Sequence, residues 1–357
     1  MKKPSRSSAC FSRLALLGFA TASAASAQDF LNAPTFTLSE GHAPLNLGSF
    51  DIVINAGTGL SGNAAALAAF NRAAQQWEAF FSDPITITID ADMAVLGSGI
   101  IGSAGSVTLA GSYNTIRNQM VADSLDEADD SIVSLLPTAA QFTATLAPGS
   151  SLDGNVQGNK AALKAAGFTG LDAMFGVSDA NITFSTAFSF DFDNSDGVSP
   201  GMVDFETVAA HEIGHALGFV SAVDDADGGL TSLSPSMLDL FRFTTAPTSN
   251  SQFTMNPRDL TAGGPGIYND MSSQWLFSTG LTSGDGRQAS HWKADELTGN
   301  YIGIMDPTLA SGVFFVVGYA DARALDLIGY DLVPEPSALV LTAVFGAGLV
   351  SRRKRLG

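Results

Sequence analysis

The sequence predicts an α+β fold, with a twisted mixed sheet and two long helices in its N-terminal half and a smaller C-terminal half. Residues 49–57 and 83–93 have the alternation and β-branched content of strands. The alanine-rich stretch 63–81 between them has helical spacing, so the fold is expected to begin as a β-α-β unit. A further strand over 181–192 precedes a helix predicted over 204–218.

The rest of the chain has weaker patterns. Residues 94–180 are rich in Gly, Ser and Ala, and a helix is predicted there around 158–166. Residues 221–333 show little regular patterning until 319–332, which is predicted to form a closing helix.

Both ends have the composition of targeting segments. Basic residues, an apolar run and Ala25-Ser26-Ala27 predict a secretory signal peptide over 1–27. At the other end, Pro334-Glu335-Pro336 is followed by an uncharged run over 337–350 and four basic residues. This order resembles the PEP-CTERM sorting signal of Gram-negative bacteria.

The PEP-CTERM resemblance implies a history for residues 334–357. The segment would anchor transiently in the inner membrane, be cut by an exosortase-type enzyme, and release the protein to the cell surface or extracellular matrix. The basic end fits the cytoplasmic face of a membrane. A simple tail anchor is the alternative.

Charge and cysteine content exclude several classes of function. The chain has a formal net charge of −18, and removing both ends would leave 9 basic against 34 acidic residues, or −25. Such a charge argues against nucleic acid and anionic membrane as partners. The one cysteine, Cys10, lies in the predicted signal peptide. The mature protein is therefore expected to have no disulfide and no thiolate ligand.

The stretch His211-Glu212-Ile213-Gly214-His215 has the H-E-x-x-H pattern of a zinc hydrolase. Histidines four positions apart lie on one face of a helix, so both imidazoles can reach one metal ion. In this pattern zinc lowers the pKa of a water molecule, and Glu212 is the predicted general base.

A third protein ligand is needed, and the sequence leaves several candidates open. Ser221 stands six residues after His215, where one common pattern has a histidine. His291, Asp224 or Asp225, and Glu296 are all candidates, because carboxylates bind zinc as well as histidines do. His42 is interpreted as an exposed histidine.

The motif, the later Ser290-His291-Trp292 and a turn that begins at Met305 together resemble the leishmanolysin-type metzincins. The resemblance implies a zincin-like catalytic domain with one catalytic Zn²⁺, in which His291 is the third ligand and Met305 lies beneath the metal. It also implies a protein or peptide substrate in a cleft between subdomains 28–220 and 221–333. The cysteines of that family are absent, so its disulfides do not carry over.

Three further features have competing interpretations. Tyr301 and Tyr319 are predicted to be packing residues, with the role of an oxyanion donor as an alternative by position only. The acidic turns 191–197 and 224–229 are predicted to be solvated, with Ca²⁺ binding through their carboxylates as the alternative. The acidic patch 123–130 is predicted to be a solvated face.

The function predicted from these observations is that of a secreted zinc endopeptidase. One alternative is an extracellular matrix or surface protein whose zinc site is structural or inactive. Another is a zinc hydrolase that acts on a non-peptide bond. An intact Glu212 argues against a structural site, because such a site has no need of a general base.

Overall fold

The protein folds as a mixed α+β structure, as predicted. The computed structural model describes the backbone of residues 13–15, 50–127 and 129–333, without the side chains of residues 13–15 and 126. The remainder of the predicted signal peptide, His42 and the whole predicted sorting segment 334–357 lie outside the described residues.

The strands are mostly short, and the longest ones lie in the N-terminal half. In chain order they are β1 (Arg13–Ala15), β2 (Asp51–Ala56), β3 (Thr86–Ala94), β4 (Gly102–Ser106), β5 (Thr108–Ser112), β6 (Ala144–Thr145), β7 (Ser151–Leu152), β8 (Asn155–Asn159), β9 (Ala180–Ser185), β10 (Phe190–Asp191), β11 (Val203–Asp204), β12 (Ser232–Leu233), β13 (Arg242–Phe243), β14 (Arg258–Asp259), β15 (Ile267–Asn269), β16 (Gln274–Leu276) and β17 (Thr308–Ala310).

Two long helices dominate the N-terminal half, and short helices connect the rest. In chain order the helices are α1 (Thr58–Ser61), α2 (Ala64–Glu78), α3 (Tyr113–Asp123), α4 (Lys160–Ala165), α5 (Leu171–Phe175), α6 (Phe205–Leu217), α7 (Val223–Asp227), α8 (Asn250–Met255), α9 (Asp295–Thr298) and α10 (Tyr319–Asp326).

The N-terminal sheet has the strand order β2-β3-β9-β4 and is mixed. β2, β3 and β9 are parallel, and β4 is antiparallel to β9. Because α2 connects the parallel strands β2 and β3, the predicted β-α-β start is confirmed. The strand predicted over 181–192 is instead interrupted, since β9 ends at Ser185 and β10 begins at Phe190.

Helices α2 and α6 pack together beside this sheet through a buried contact. Trp77 Nε1 of α2 donates a hydrogen bond of 2.9 Å to the carbonyl oxygen of Ala210 in α6. Glu206 in the first turn of α6 accepts hydrogen bonds from Arg72 and Gln76 of α2. Asp204 caps α6 by accepting from the Thr207 amide at 2.7 Å. These contacts fix the helix that carries the H-E-x-x-H motif.

The C-terminal half contains more regular structure than its sequence predicts. A five-stranded sheet has the order β16-β15-β13-β14-β6, so β6 comes from the N-terminal half. Its strands have two or three residues each, too short to leave a clear alternating pattern. The predicted closing helix is present as α10 but ends at Asp326.

Two findings concern the predicted targeting segments. Strand β1, which falls within the predicted signal peptide, pairs antiparallel with β17. Within the described part of the chain, no helix is long and apolar enough to cross a membrane. The predicted anchor run 337–350 is outside that part.

A buried guanidinium group joins the predicted acidic patch to the closing helix. Arg323 of α10 donates hydrogen bonds to Asp130, Asp326 and Asp270, the last over 3.0 Å. Asp130 is 2% exposed. The prediction of a solvated face over 123–130 is therefore wrong at Asp130, because its carboxylate is the partner of this buried cation.

We expect Arg323→Met to destabilise the fold by about 3–5 kcal/mol, because it leaves several buried carboxylates without their cation. Urea unfolding measures the loss. The matched control is Arg72→Gln, whose side chain is 40% exposed and pairs with Glu206. An exposed pair contributes about 1 kcal/mol or less. Equal losses in both variants would contradict the assigned role of Arg323.

Candidate metal centre

Three histidine side chains meet in the interior of the protein. Nε2 of His211 lies 3.1 Å from Nε2 of His291, and Nε2 of His215 lies 3.2 Å from each of these atoms. All three residues are at most 1% exposed. The chain thus forms a buried three-histidine group that could bind a metal ion.

The first two histidines are positioned by α6, and the third by a loop that crosses from the C-terminal half. His291 lies 76 residues after His215, between β16 and α9. Its neighbour Ser290 accepts a hydrogen bond of 2.9 Å from the amide of Ser221. Ser221, where one common pattern has the third histidine, therefore holds in place the loop that carries His291.

Asp224 fixes the same loop from the start of α7. Its carboxylate accepts hydrogen bonds from the amides of Ala289 at 2.6 Å and Ser290 at 3.0 Å, and from the Ser290 hydroxyl. The sequence leaves Asp224 open as a third ligand. In the structure its carboxylate oxygens instead accept hydrogen bonds from the loop that carries His291. Glu296, another alternative, pairs with Arg287.

Each imidazole is oriented by a backbone carbonyl group. The Nδ1 atoms lie 2.8 Å from the Ile304 oxygen for His211, 2.8 Å from the Phe219 oxygen for His215, and 3.1 Å from the Gln288 oxygen for His291. Because a carbonyl oxygen only accepts, each Nδ1 must carry the proton and donate. The Nε2 lone pairs then point into the centre, as metal ligation requires.

The electrostatics favour neutral imidazoles. Burial, together with the neighbouring His215, lowers the pKa of His211 to about 3. Burial lowers the pKa of His215 to about 4, and burial and the two other imidazoles lower the pKa of His291 well below its usual value. At neutral pH the group therefore consists of three neutral imidazoles, each protonated at Nδ1 and with a free lone pair at Nε2.

The donor geometry fits one metal ion with short metal–nitrogen bonds. Imidazole nitrogens about 2.0–2.1 Å from a tetrahedral ion are roughly 3.3 Å apart. The observed separations of 3.1–3.2 Å lie close to this value. Three such ligands occupy one face of a tetrahedron and leave its fourth position to a non-protein ligand.

Glu212 lies next to these histidines on α6 without a hydrogen-bond partner. Its side chain is completely buried, and neither carboxylate oxygen has a partner within the described residues. Burial raises the pKa of Glu212 to about 8. A buried carboxyl group left unsatisfied in this way is costly for stability, which is typical of groups retained for chemistry.

Strand β4 passes close to the Glu212 carboxylate. A methyl group added at Gly102 would lie 2.7 Å from Glu212 Oε1. A larger residue at this position would displace the carboxylate, so glycine allows β4 to pack directly against Glu212. No signal in the Gly-rich sequence around 94–106 distinguishes Gly102 from its neighbours.

Met305 packs against the underside of α6. It is fully buried, and a side chain at Gly214, between the two helical histidines, would collide with its sulfur atom. The resemblance implies a methionine in this relation to the metal ligands, and the structure places Met305 there.

Asp321 of α10 connects this turn to the ligands. The peptide group between Ile304 and Met305 accepts from His211 through its oxygen and donates to Asp321 Oδ1 over 3.2 Å through its nitrogen. Asp321 also accepts from Trp292 Nε1 at 2.8 Å and from the Ile304 amide at 2.8 Å. One carboxylate thus contacts both the Met305 turn and the residue after His291.

The sequence around Asp321 contains a pattern that indicates a buried role for its carboxylate. On the predicted closing helix, Leu325 and Ile328 follow Asp321 by four and seven residues, so the three lie on one face. Both apolar residues are fully buried. A carboxylate on the apolar face of a helix needs buried donors. That pattern points to a polar contact in the core.

The tyrosine candidates for an oxyanion donor have other neighbours. The Tyr301 ring stacks on Phe315 with a centroid distance of 4.3 Å. Tyr319 begins α10 and is 57% exposed. No contact in the described structure brings either hydroxyl group to the histidines.

The two acidic turns, for which Ca²⁺ binding is the alternative, bind backbone amides through their carboxylates. Asp191 accepts from the amides of Asp193 and Ser199, and Asp227 accepts from those of Thr282 and Ser283. In the described residues, the carboxylate groups close enough to share an ion lie elsewhere, and both sets include Glu127. Ca²⁺ binding gains no support at either turn.

Comparison with protein-family models, with curated proteins and with solved structures gives no significant match.

We expect the purified chain to bind about one metal ion, and His291→Ala to weaken binding by more than about 100-fold. Removing a direct ligand should exceed the 10- to 100-fold loss typical of outer-shell changes. Elemental analysis and chelator competition measure both quantities. Glu296→Ala is the control, because Glu296 is an alternative ligand in the sequence but pairs with Arg287 in the structure. Stoichiometric, tightly held metal in His291→Ala would rule out His291 as a ligand.

We expect Asp321→Asn to weaken metal binding by about 10- to 100-fold, because an amide nitrogen would face one pair of the N–H donors that the carboxylate accepts. The measurement is chelator competition on folded protein, together with the visible spectrum of the cobalt-substituted form. Trp292→Phe removes a single donor and should have a smaller effect in the same direction. An unchanged affinity and spectrum in Asp321→Asn would disprove the link through the Ile304–Met305 peptide.

Proposed function

We propose that the protein is a zinc-dependent endopeptidase of zincin-like fold. The observation that carries the proposal is Glu212, a buried carboxyl group without a hydrogen-bond partner beside three converging imidazoles. A structural metal site needs the imidazoles but not this carboxylate. Three neutral nitrogen ligands with an open fourth position are typical of catalytic zinc.

The residues divide the work in a simple way. His211, His215 and His291 would hold the ion, which when bound supplies Lewis-acid polarisation and lowers the pKa of a water molecule. Glu212 accepts a proton from the attacking water through a carboxylate oxygen. It then delivers that proton to the nitrogen of the leaving amine.

An extended peptide fits the free edge of β4. The amide of Ser185 donates to the Ile101 oxygen, and the amide of Val107 donates to the Asp179 oxygen. Since backbone groups alternate in direction along an antiparallel strand, the N–H and C=O groups of Gly102 and Ala104 point to the opposite edge. Within the described residues β4 pairs with β9 alone. A peptide added there passes the Glu212 carboxylate.

The resemblance to leishmanolysin-type metzincins agrees with this proposal. We also propose secretion through the 1–27 segment and transient anchoring through 334–357, followed by release by an exosortase-type enzyme. The substrate is then an extracellular protein or peptide. Both terminal proposals rest on sequence patterns alone.

We expect Glu212→Gln to keep about one zinc ion per chain but to lose casein cleavage by about 10²–10⁴-fold, the usual contribution of a general acid–base group. Glu206→Gln, on the first turn of the same helix, is the matched control. Cleavage is followed by release of soluble peptides, and zinc content by elemental analysis.

Two outcomes would count against the proposal. Full activity in Glu212→Gln would remove Glu212 from the chemistry. A zinc-loaded wild type that cleaves neither casein nor a peptide library would favour a structural zinc site or a non-peptide substrate, which a screen of model esters and amides would separate.

A further inference from the structure

We infer that a cleft beside His215 selects a Lys or Arg side chain near the cleaved bond and that Asp225 is the carboxylate that recognises it. The inference rests on the proposed peptidase function and deepens it by naming the substrate class. It concerns a surface that the metal centre does not use.

The cleft lies beside His215, one of the three histidines of the candidate metal centre. Its lining includes His215, Ser106 and Thr108 on the β4 side, Gln157 of β8, Asp225 of α7 and Ser290 beside the third histidine. Its empty volume, including the mouth, is about 540 Å³. Because the free edge of β4 leads from Gly102 toward Ser106, a peptide on that edge would project a side chain into this cleft.

The wall next to His215 is rigidly held. Asn159 Nδ2 donates to the His215 oxygen at 2.8 Å and to Ser106 Oγ at 3.0 Å. This amide therefore joins the ligand helix to the end of β4. A side chain bound in the cleft would be held close to the reacting carbonyl and would not belong to a remote part of the substrate.

The cleft has one carboxylate available for a ligand. Both oxygens of Asp224 accept from the loop that carries His291. Asp225, by contrast, accepts only a long hydrogen bond of 3.4 Å from Gln157 Nε2 among the contacts of the described residues. Its carboxylate is partly solvent-exposed and stands at the cleft without a paired cation.

Among the residues that the structure describes, no lysine or arginine lines the cleft. The guanidinium group of Arg242 lies behind Asp224, but it donates to the carbonyl oxygens of Ala289 and Ser278 and lies among other carboxylates. A substrate ammonium or guanidinium group would therefore find an uncompensated negative charge. Gln157 and Thr108 offer further oxygen acceptors for its N–H groups.

Apolar and acidic side chains fit this environment less well. An aliphatic side chain would remove water from Asp225 without replacing its hydrogen bonds, and an acidic side chain would be repelled. The net charge of −18 also attracts cationic peptides over longer distances. Local and global electrostatics therefore favour the same substrates.

The test is cleavage-site profiling with the purified, zinc-loaded full chain on a mixed peptide library, read by mass spectrometry. We expect Lys and Arg to be enriched at one position within about three residues of the cleaved bond, the reach of a strand at roughly 3.3 Å per residue. Two peptides that differ only by Lys or Met at that position then give the ratio of kcat/KM values.

Asp225→Asn should lower this Lys-to-Met ratio by about 10-fold, and Asp225→Lys should invert the charge preference toward Glu. Asp51→Asn is the matched control. Asp51 is an exposed aspartate of β2, which lies at the edge of the N-terminal sheet opposite to β4. Zinc content shows that each variant is folded. Asp51→Asn should leave the ratio unchanged.

The outcomes separate the two proposals. A wild type that cleaves the library without enrichment of basic residues would overturn the role of the cleft and leave the peptidase proposal standing. An unchanged ratio in both Asp225 variants would do the same. A wild type that holds zinc and cleaves no peptide would overturn the proposed function itself, and the specificity inference with it.

Discussion

The candidate metal centre depends on one requirement of buried imidazole groups, that each Nδ1–H must find an acceptor inside the protein if the Nε2 lone pair is to face an ion. His211, His215 and His291 meet it with the carbonyl oxygens of Ile304, Phe219 and Gln288. Each acceptor belongs to a different stretch of backbone. All three stretches must therefore keep their positions if the three Nε2 lone pairs are to converge. The tertiary structure around the site largely serves to fix these three carbonyl groups.

Two buried carboxylates hold those loops. Asp321 binds the peptide group that orients His211 and the indole of Trp292, and Asp224 binds the amides that precede His291. Burial raises the pKa of both side chains, which marks the desolvation that their N–H donors offset. The polar interior is thus organised around ligand orientation, and the apolar core around α2 and α6 supports it.

Local sequence patterns predicted the helix that carries His211, Glu212 and His215 and the strands beside it. Helical spacing and the H-E-x-x-H motif located α6, and the strand pattern around α2 predicted the parallel pair β2 and β3. The short strands of the C-terminal half escaped prediction because two or three residues carry no periodicity. Asp130 was misread because a run of acidic residues cannot show that Arg323, almost two hundred positions later, lies against it.

His291 shows that distance along the sequence does not decide which residue completes the three-histidine group. The loop-closure entropy grows only slowly with length, so a separation of 76 residues costs little more than a short one. What matters is whether the returning loop is rigid, and no cysteine follows Cys10 to cross-link it. Ser221, Asp224 and Arg242 provide that rigidity through buried hydrogen bonds to residues 289 and 290. An ion bound by all three histidines would join α6 to the C-terminal half, so metal binding and the docking of the two halves are thermodynamically linked.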